Sequence, residues 1–266
     1  MSRLDTTFQQ LRGRGARAHV TFFTVGDPSL EVTERLVVEA DQRGADVIEL
    51  GVPFSDPIGD GPVNQRSAER ALRAGTSLVR VLETVSRVRD HVRAPLVLMT
   101  YYNPVYAFGL KAFARTAVDA GVDGVIVIDL PPEEATDLAA EAEGVGLDVI
   151  FLVAPTSTAP RLRLIARKSR GFVYVVSRTG VTGERAEVPT DLAGQVRALR
   201  MVTTKPICVG FGIATPEHVA TVGALADGVV VGSAIVRMIE ERASSPALVA
   251  DVGKFIAELK APLRKP

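Results

Sequence analysis

Short apolar runs rich in valine and isoleucine recur along this chain, separated by stretches in which apolar positions repeat with helical spacing. The runs are AHVTFFTV (18–25), DVIELG (46–51), PLVLMTYY (95–102), GVIVIDL (124–130), LDVIFLV (147–153), GFVYVVS (171–177), PICVGF (206–211) and DGVVVGS (227–233). Their consecutive apolar residues predict strands buried on both faces, as in a parallel sheet covered by helices. The intervening stretches SLEVTERLVVEADQRG (29–44), TSLVRVLETVSRVRDHV (76–92), PPEEATDLAAEAEG (131–144) and TPEHVATVGA (215–224) predict helices. Gly44 closes the first, Thr76 is the expected N-cap of the second, and the third places proline and two acids in its first turn. Proline and acids first, glycine last, is the order in which helices start and stop.

Eight such strands alternating with helices predict an α/β fold: a single (β/α)8 TIM barrel over 1–266. Residues 2–12 are expected to add an N-terminal helix across the bottom of the barrel, and 246–263 a last helix. The rival is a doubly wound open sheet. That fold usually carries a glycine-rich fingerprint after its first strand, and TVGDPS (24–29) is not one.

Composition narrows the chemistry. Lys plus Arg and Asp plus Glu are 31 each in 266 residues, so no global charge argues for nucleic acid or a membrane surface, and any anion site must be local. The lone cysteine, Cys208, excludes an intramolecular disulfide framework and a cysteine-cluster metal site. No apolar run is long enough to span a bilayer and the N-terminus has no cleavage signal, so a cytoplasmic protein is expected.

Active sites of such barrels lie at the C-terminal ends of the strands. His19 and His91 are expected at the opposite face and His218 inside a helix, as ordinary surface or helix-end residues. Lys205 precedes a strand, and the other lysines read as helical or tail positions, so neither a histidine base nor a Schiff-base lysine is expected. Carboxylate remains. Side chains alternate along a strand, so in DVIELG Glu49 shares a face with Val47 and Gly51 while Ile48 and Leu50 face the helices. Glu49 then points into the lumen, where burial raises a carboxyl pKa and suits it to giving and taking a proton. The alternative is a buried glutamate satisfied by hydrogen bonds, or a strand read out of register. Asp60 lies in the loop GVPFSDPIGDGP (51–62), which can fold back over the strand end and set a second acid opposite Glu49. Asp before Pro or Gly is also ordinary turn chemistry, and spacing alone leaves both readings open for Asp56 and Asp60.

Glycines form the second constellation. SRTGVTGE, GFGIATPE and VGSAIVRMIEE follow three consecutive strands, and the last opens a helix. This is where such barrels often hold phosphate, with Gly183, Gly212, Gly232 and Ser233 as backbone donors. Phe22, Tyr101, Ile126, Tyr174 and Phe211 are candidates to line an apolar pocket. Two acids and a phosphate grip suit proton-transfer chemistry on a phosphorylated small molecule; composition and spacing do not name the substrate.

ELGVPFSDPIGDGP, LMTYYNP, IDLPPEE, SRTGVTG, GFGIATPEHV and GSAIV, in this order between about residues 15 and 241, resemble the tryptophan synthase alpha subunit family. The resemblance implies reversible retro-aldol cleavage of indole-3-glycerol phosphate to indole and glyceraldehyde 3-phosphate, without a cofactor or metal. Glu49 matches that family's catalytic glutamate and Asp60 its partner. Phe22, Tyr101, Tyr174 and Phe211 match pocket positions, and Gly183, Gly212, Gly232 and Ser233 match phosphate contacts. Thr182 matches a lid residue that closes over Asp60. The family's partner is a pyridoxal-phosphate beta subunit in an alpha2-beta2 heterotetramer, and Asp56 lies in the part of the loop expected to face it. Two positions depart from the pattern: Gly59 replaces the usual alanine, and Asn64 stands where an apolar residue is usual. Neither is expected to touch a catalytic group. They leave open a stand-alone lyase that releases free indole, beside a binding subunit of weak turnover that activates its partner.

Overall fold

The computed structural model describes residues 1–176, 191–210 and 212–264. Among these, the strands are β1 (Ala18–Thr24), β2 (Val47–Gly51), β3 (Leu96–Thr100), β4 (Gly124–Val127), β5 (Asp148–Ile150), β6 (Leu152–Val153), β7 (Val173–Val176), β8 (Ile207–Gly210) and β9 (Gly228–Val231). All pairings are parallel, in the order β5-β4-β3-β2-β1-β9-β8-β7-β6. The two ends of that order, β5 and β6, are one stretch of chain interrupted at Phe151. The sheet therefore returns on itself as a TIM barrel.

The interruption corrects the expected continuous strand over 147–153, and its cause is local. The Phe151 N–H donates to the Ser169 hydroxyl at 3.2 Å instead of to a neighbouring strand, while its carbonyl accepts from the Tyr174 N–H.

Alternation along the strands builds two apolar layers. Val20, Phe22, Val47, Val97, Met99 and Ile126 fill the lumen, whereas Phe23, Ile48, Leu50, Leu96 and Leu98 pack outward on the helices. The N-terminal helix, Arg3–Gly13, closes the bottom. Its Leu4, Phe8 and Leu11 join the lumen layer, and the Phe8 and Phe172 rings lie 5.7 Å apart. Ser2 and Asp5 form a reciprocal capping box at its start.

The outer helices follow their end signals with two corrections. Leu30–Arg43 runs from the Ser29 cap to Gly44, whose φ of 94° ends it in the left-handed conformation. The helix expected from Thr76 begins at Leu78 instead, capped by Ser77, and Thr76 is buried against Gly26. The helix expected at 131 begins at Thr136. Pro132 disfavours a helical conformation at Pro131, and the segment closes a turn through the Glu134 N–H to the Pro131 carbonyl. Pro216–Gly223 is capped by Thr215 as its sequence suggests.

His19 also departs from expectation. It is fully buried, facing away from the lumen. Burial, aided by the nearby Lys260, holds its pKa down at about 3, so it is neutral. Lys260, on the final helix Leu248–Lys260, is itself buried and pairs with Asp46, which also accepts from the His19 backbone N–H at 2.7 Å. Among the described residues no helix is long and apolar enough to cross a membrane.

Candidate functional site

One cavity opens at the C-terminal ends of the strands, and both acids singled out from the sequence line it. Its wall includes Phe22, Glu49, Asp60, Met99, Tyr174, Gly212, Gly232 and Ser233.

Glu49 is placed by register. It lies between Phe22 of β1 and Val97 of β3. It is completely buried, and neither carboxyl oxygen has a hydrogen-bond partner among the described residues. Burial pushes its pKa up to about 8. A carboxyl in apolar surroundings without donors disfavours its charged form, so Glu49 is a neutral acid at pH 7.

Asp60 is held by a different logic. Its loop turns through the Asp60 N–H to the Pro57 carbonyl at 3.0 Å, and Gln65 Nε2 donates to the Asp60 carbonyl at 2.9 Å. Tyr101 Oη donates to Asp60 Oδ2 at 2.9 Å and accepts from the Gly59 N–H at 3.0 Å. Burial raises the Asp60 pKa, and hydrogen bonding from Tyr101 and then Asn64 pulls it back. The two acids therefore sit in unlike settings, one bare and one donor-supported, which is how paired carboxylates acquire separate roles.

Both departures from the family pattern lie at the site: Gly59 donates its N–H to Tyr101 Oη, and Asn64 lines the cavity with Asp60. A Cβ at position 59 would stand 2.8 Å from Ile128 Cγ2 and 3.3 Å from Tyr101 Oη. Tyr101 itself lines a recess beside the main cavity, with its ring 5.2 Å from Phe54. A Tyr101→Phe substitution removes the donor to Asp60 and strands the Gly59 N–H. We expect kcat/KM to fall about tenfold, with the pH at which Asp60 ionises moving upward, as read from the pH–rate profile.

The remaining wall is apolar. Phe22 packs against Gly51, where a Cβ would approach its Cζ at 2.6 Å. Tyr174 on β7 is buried, and its phenol pKa is raised by burial and then by the neighbouring Glu49. A Cβ on Gly210 would stand 2.3 Å from Tyr174 Oη. The Gly210→Ala variant must displace that ring, and is expected to lose about 1–3 kcal/mol in urea unfolding and to bind substrate more weakly. Ile126 does not reach the cavity: it belongs to the lumen packing, and Ile128, next on the same face, lines the site.

Across the rim, Gly212 takes a φ of 79° and Gly232 caps the helix Ser233–Arg242. First-turn N–H groups of a helix lack intrahelical acceptors and favour an anion. Thr182, Gly183 and Phe211 lie outside the described residues. A network of ion pairs joins this rim to the helix that follows Asp60, Pro62–Arg73. Glu240 accepts from Arg66 and from Arg70, each within 2.8 Å, and Arg70 also forks onto the buried Asp27. The Arg66 hydrogen bonds lead in holding the Glu240 pKa down at about 2.

Val63, Ile213, Val230 and Arg237 also line the cavity without having been singled out in the sequence, and Asn64, noted there only as a departure from the family pattern, lines it too. Helical spacing is the available signal for Arg237, four residues after Ser233 on one helix. Asp56 lies apart from the cavity. It is exposed, in a surface groove with Phe54, Pro57 and Pro62, beside Ile58, which is 71% exposed. Among the described residues no cluster of three or more His, Cys, Asp or Glu is placed to hold a metal ion.

Comparison with known proteins bears on this geometry. The sequence profile described as tryptophan synthase alpha chain matches residues 8–262. The tryptophan synthase alpha chain of Geobacter sulfurreducens is 52% identical over 260 residues, covering 98% of each chain. That of Geotalea uraniireducens is 52% identical over 261 residues, covering 98% of this chain and 97% of its own. Among solved structures, tryptophan synthase subunit alpha from Legionella pneumophila superposes with a TM-score of 0.92 at 37% identity, covering 99% of this chain and 98% of that one. Mycobacterium tuberculosis tryptophan synthase gives a TM-score of 0.92 at 37% identity over 100% and 99% of the two chains.

Proposed function

The chain belongs to the tryptophan synthase alpha chain family, whose alpha reaction serves tryptophan biosynthesis, and from that premise we propose how its own residues perform the reaction. The substrate is indole-3-glycerol phosphate and the reaction a carbon–carbon lyase step. Glu49 and Asp60 act as the catalytic pair, within one barrel domain over 1–266. The observation that carries this reading is the pairing of a bare, buried, proton-bearing Glu49 with a donor-supported Asp60 in one cavity that ends on a glycine rim.

Neutral Glu49 donates its proton to C3 of the indole ring. Asp60 accepts from the ring N–H and stabilises the positive charge that grows there. The Glu49 carboxylate then takes the proton of the glycerol hydroxyl next to C3. As that hydroxyl becomes the aldehyde of glyceraldehyde 3-phosphate, the carbon–carbon bond breaks and its electron pair returns to the ring. Indole leaves, and Glu49 ends protonated as it began. Phe22 and Tyr174 flank the ring. Gly212, Gly232 and Ser233, with Gly183 from the segment outside the described residues, hold the phosphate. Thr182 and Phe211 complete the lid and the pocket.

The partner is a tryptophan synthase beta subunit that receives the indole, in an alpha2-beta2 assembly. The groove around Asp56, with exposed Ile58 beside Pro57, is the surface offered to it. The test is indole release from indole-3-glycerol phosphate by the purified chain, alone and with a beta subunit. Slow turnover that rises strongly with the partner is expected. Fast turnover indifferent to the partner would mean a stand-alone lyase, and no turnover in either case would sink the assigned substrate.

A further inference from the structure

The helix that follows Asp60, Pro62–Arg73, has little apolar surface with which to fix its position. Val63 at its start lines the cavity, and the rest of its buried face is Ser67, Ala68 and Ala71. The next helix, Leu78–Arg89, buries Leu78, Val81, Leu82, Val85 and Val88 instead. Alanine and serine cover little apolar area, so burial alone holds the first helix weakly. Directional polar bonds hold it in place. Ser67 Oγ lies 2.6 Å from Thr24 Oγ1 at the end of β1. Arg70 Nε and Nη2 fork onto the two oxygens of Asp27, in the turn after β1, at 2.8 and 2.7 Å. Arg70 Nη1 donates to Glu240 Oε1 at 2.7 Å. Glu240 lies on the Ser233–Arg242 helix, about two turns beyond Ser233 and on the same side of it. Arg66 forks onto Glu240 as well, but its side chain is half exposed, so water screens that pair more than the one with buried Asp27.

One guanidinium therefore ties three segments that each carry part of the site. These are β1 with Phe22, the helix whose Gln65 donates to the Asp60 carbonyl, and the helix that opens at Gly232 and Ser233. A lysine would balance the buried charge of Asp27. Only the planar fork of arginine can grip one carboxylate with two bonds and still donate to a second, which fixes orientation as well as charge. We propose that Arg70 is a positioning residue that couples the two ends of the substrate site, so that an anion seated at Gly232 and Ser233 steadies Asp60 and the ring pocket beside it. The inference rests on the reading of that glycine rim as the phosphate seat and of Asp60 as the partner of Glu49. An anion at the helix start fixes the Ser233–Arg242 helix, Glu240 and Arg70 pass the constraint to the Pro62–Arg73 helix, and Gln65 passes it to the Asp60 loop. Coupling of this kind is reciprocal: a ring bound beside Asp60 strengthens phosphate binding by the same factor.

The experiment is a titration of the purified full chain with indole, with and without saturating glycerol phosphate. The chain contains no tryptophan, so the fluorescence of added indole reports binding without a background from the protein's own indole rings. In the wild type, glycerol phosphate is expected to tighten indole binding about tenfold. Glu240→Ala cuts the tie to the Ser233–Arg242 helix and leaves Asp27 paired with Arg70. Arg70→Lys keeps a positive charge beside Asp27 and removes the fork. In both variants the gain is expected to shrink to about twofold or less, while glycerol phosphate alone binds within about twofold of the wild type. Two variants on different helices keep the test open where one disturbs folding, which urea unfolding monitors. Equal gains in the wild type and both variants overturn the inference, even if stability falls. So does a wild type in which glycerol phosphate leaves indole binding unchanged. A gain that the variants lose, in a wild type that releases no indole from indole-3-glycerol phosphate, overturns the assigned reaction and leaves the coupling standing.

Discussion

Glu49→Gln is expected to abolish indole release while leaving anion binding intact. The amide keeps the shape of the side chain in a fully buried position, so the lumen packing is undisturbed. It has no proton to give to C3 and no carboxylate to receive the hydroxyl proton. General acid–base groups contribute about 10²- to 10⁴-fold, and in the proposed cycle Glu49 serves both halves, so the upper part of that range is expected. The glycine rim that would hold phosphate lies on other elements, at Gly212, Gly232 and Ser233. The check is steady-state indole release alongside calorimetric titration with glycerol phosphate. Near-normal turnover in the variant would falsify the assignment of Glu49, and loss of both turnover and binding would point to a disturbed site.

The same residue is expected to make the enzyme sensitive to alkali in rate and in stability. Burial raises the Glu49 carboxyl from its ordinary 4.5 to about 8. As the proposed acid it must be protonated to start the reaction, so kcat/KM for cleavage is expected to fall as pH rises through about 8. Stability follows by linkage. Between pH 4.5 and 8 the folded chain keeps a proton that the unfolded chain releases, so this group's contribution falls as pH rises across that window. It is fully present below 4.5 and lost above 8. The shift of about 3.5 pH units corresponds to a differential on the order of 5 kcal/mol. Glutamine stays neutral throughout. Glu49→Gln should therefore match the wild type in urea unfolding at pH 4 and exceed it by several kcal/mol at pH 9. An equal difference at both pH values would mean that Glu49 is not held neutral by burial. The stability cost and the proposed catalytic use have one origin, since the missing donors that penalise the charged form are also what keep the proton available at neutral pH.

Much of the architecture was written in the periodicity. Eight buried apolar runs with intervening amphipathic stretches can bury both strand faces in few ways, and barrel closure is one of them. The lumen placement of Glu49 was equally legible, because alternation is a property of the strand itself. Ile48 and Leu50 had to face the helices, which left Glu49 no other side. The helix end marked by Gly44 alone stands where the sequence places it, whereas behind the consecutive prolines at 131–132 the helix starts at Thr136, and the cap expected at Thr76 falls on Ser77. Those sites offer competing local solutions, and packing chose between them by burying Thr76 against Gly26.

What the chain alone determined was therefore its class of fold, the face on which Glu49 stands, and the strand ends that carry the glycine turns, because each follows from backbone periodicity within a few residues. What only the tertiary structure decided was which groups meet. Tyr101 meets Asp60 because a loop folds back over β3, and Arg66, Arg70, Asp27 and Glu240 meet because two helices far apart in sequence pack side by side. The burial of His19 and Lys260 was decided there too, by the final helix closing over β1 and Asp46. Such contacts depend on chain segments separated by tens to hundreds of residues, and local periodicity holds no record of where distant segments come to rest.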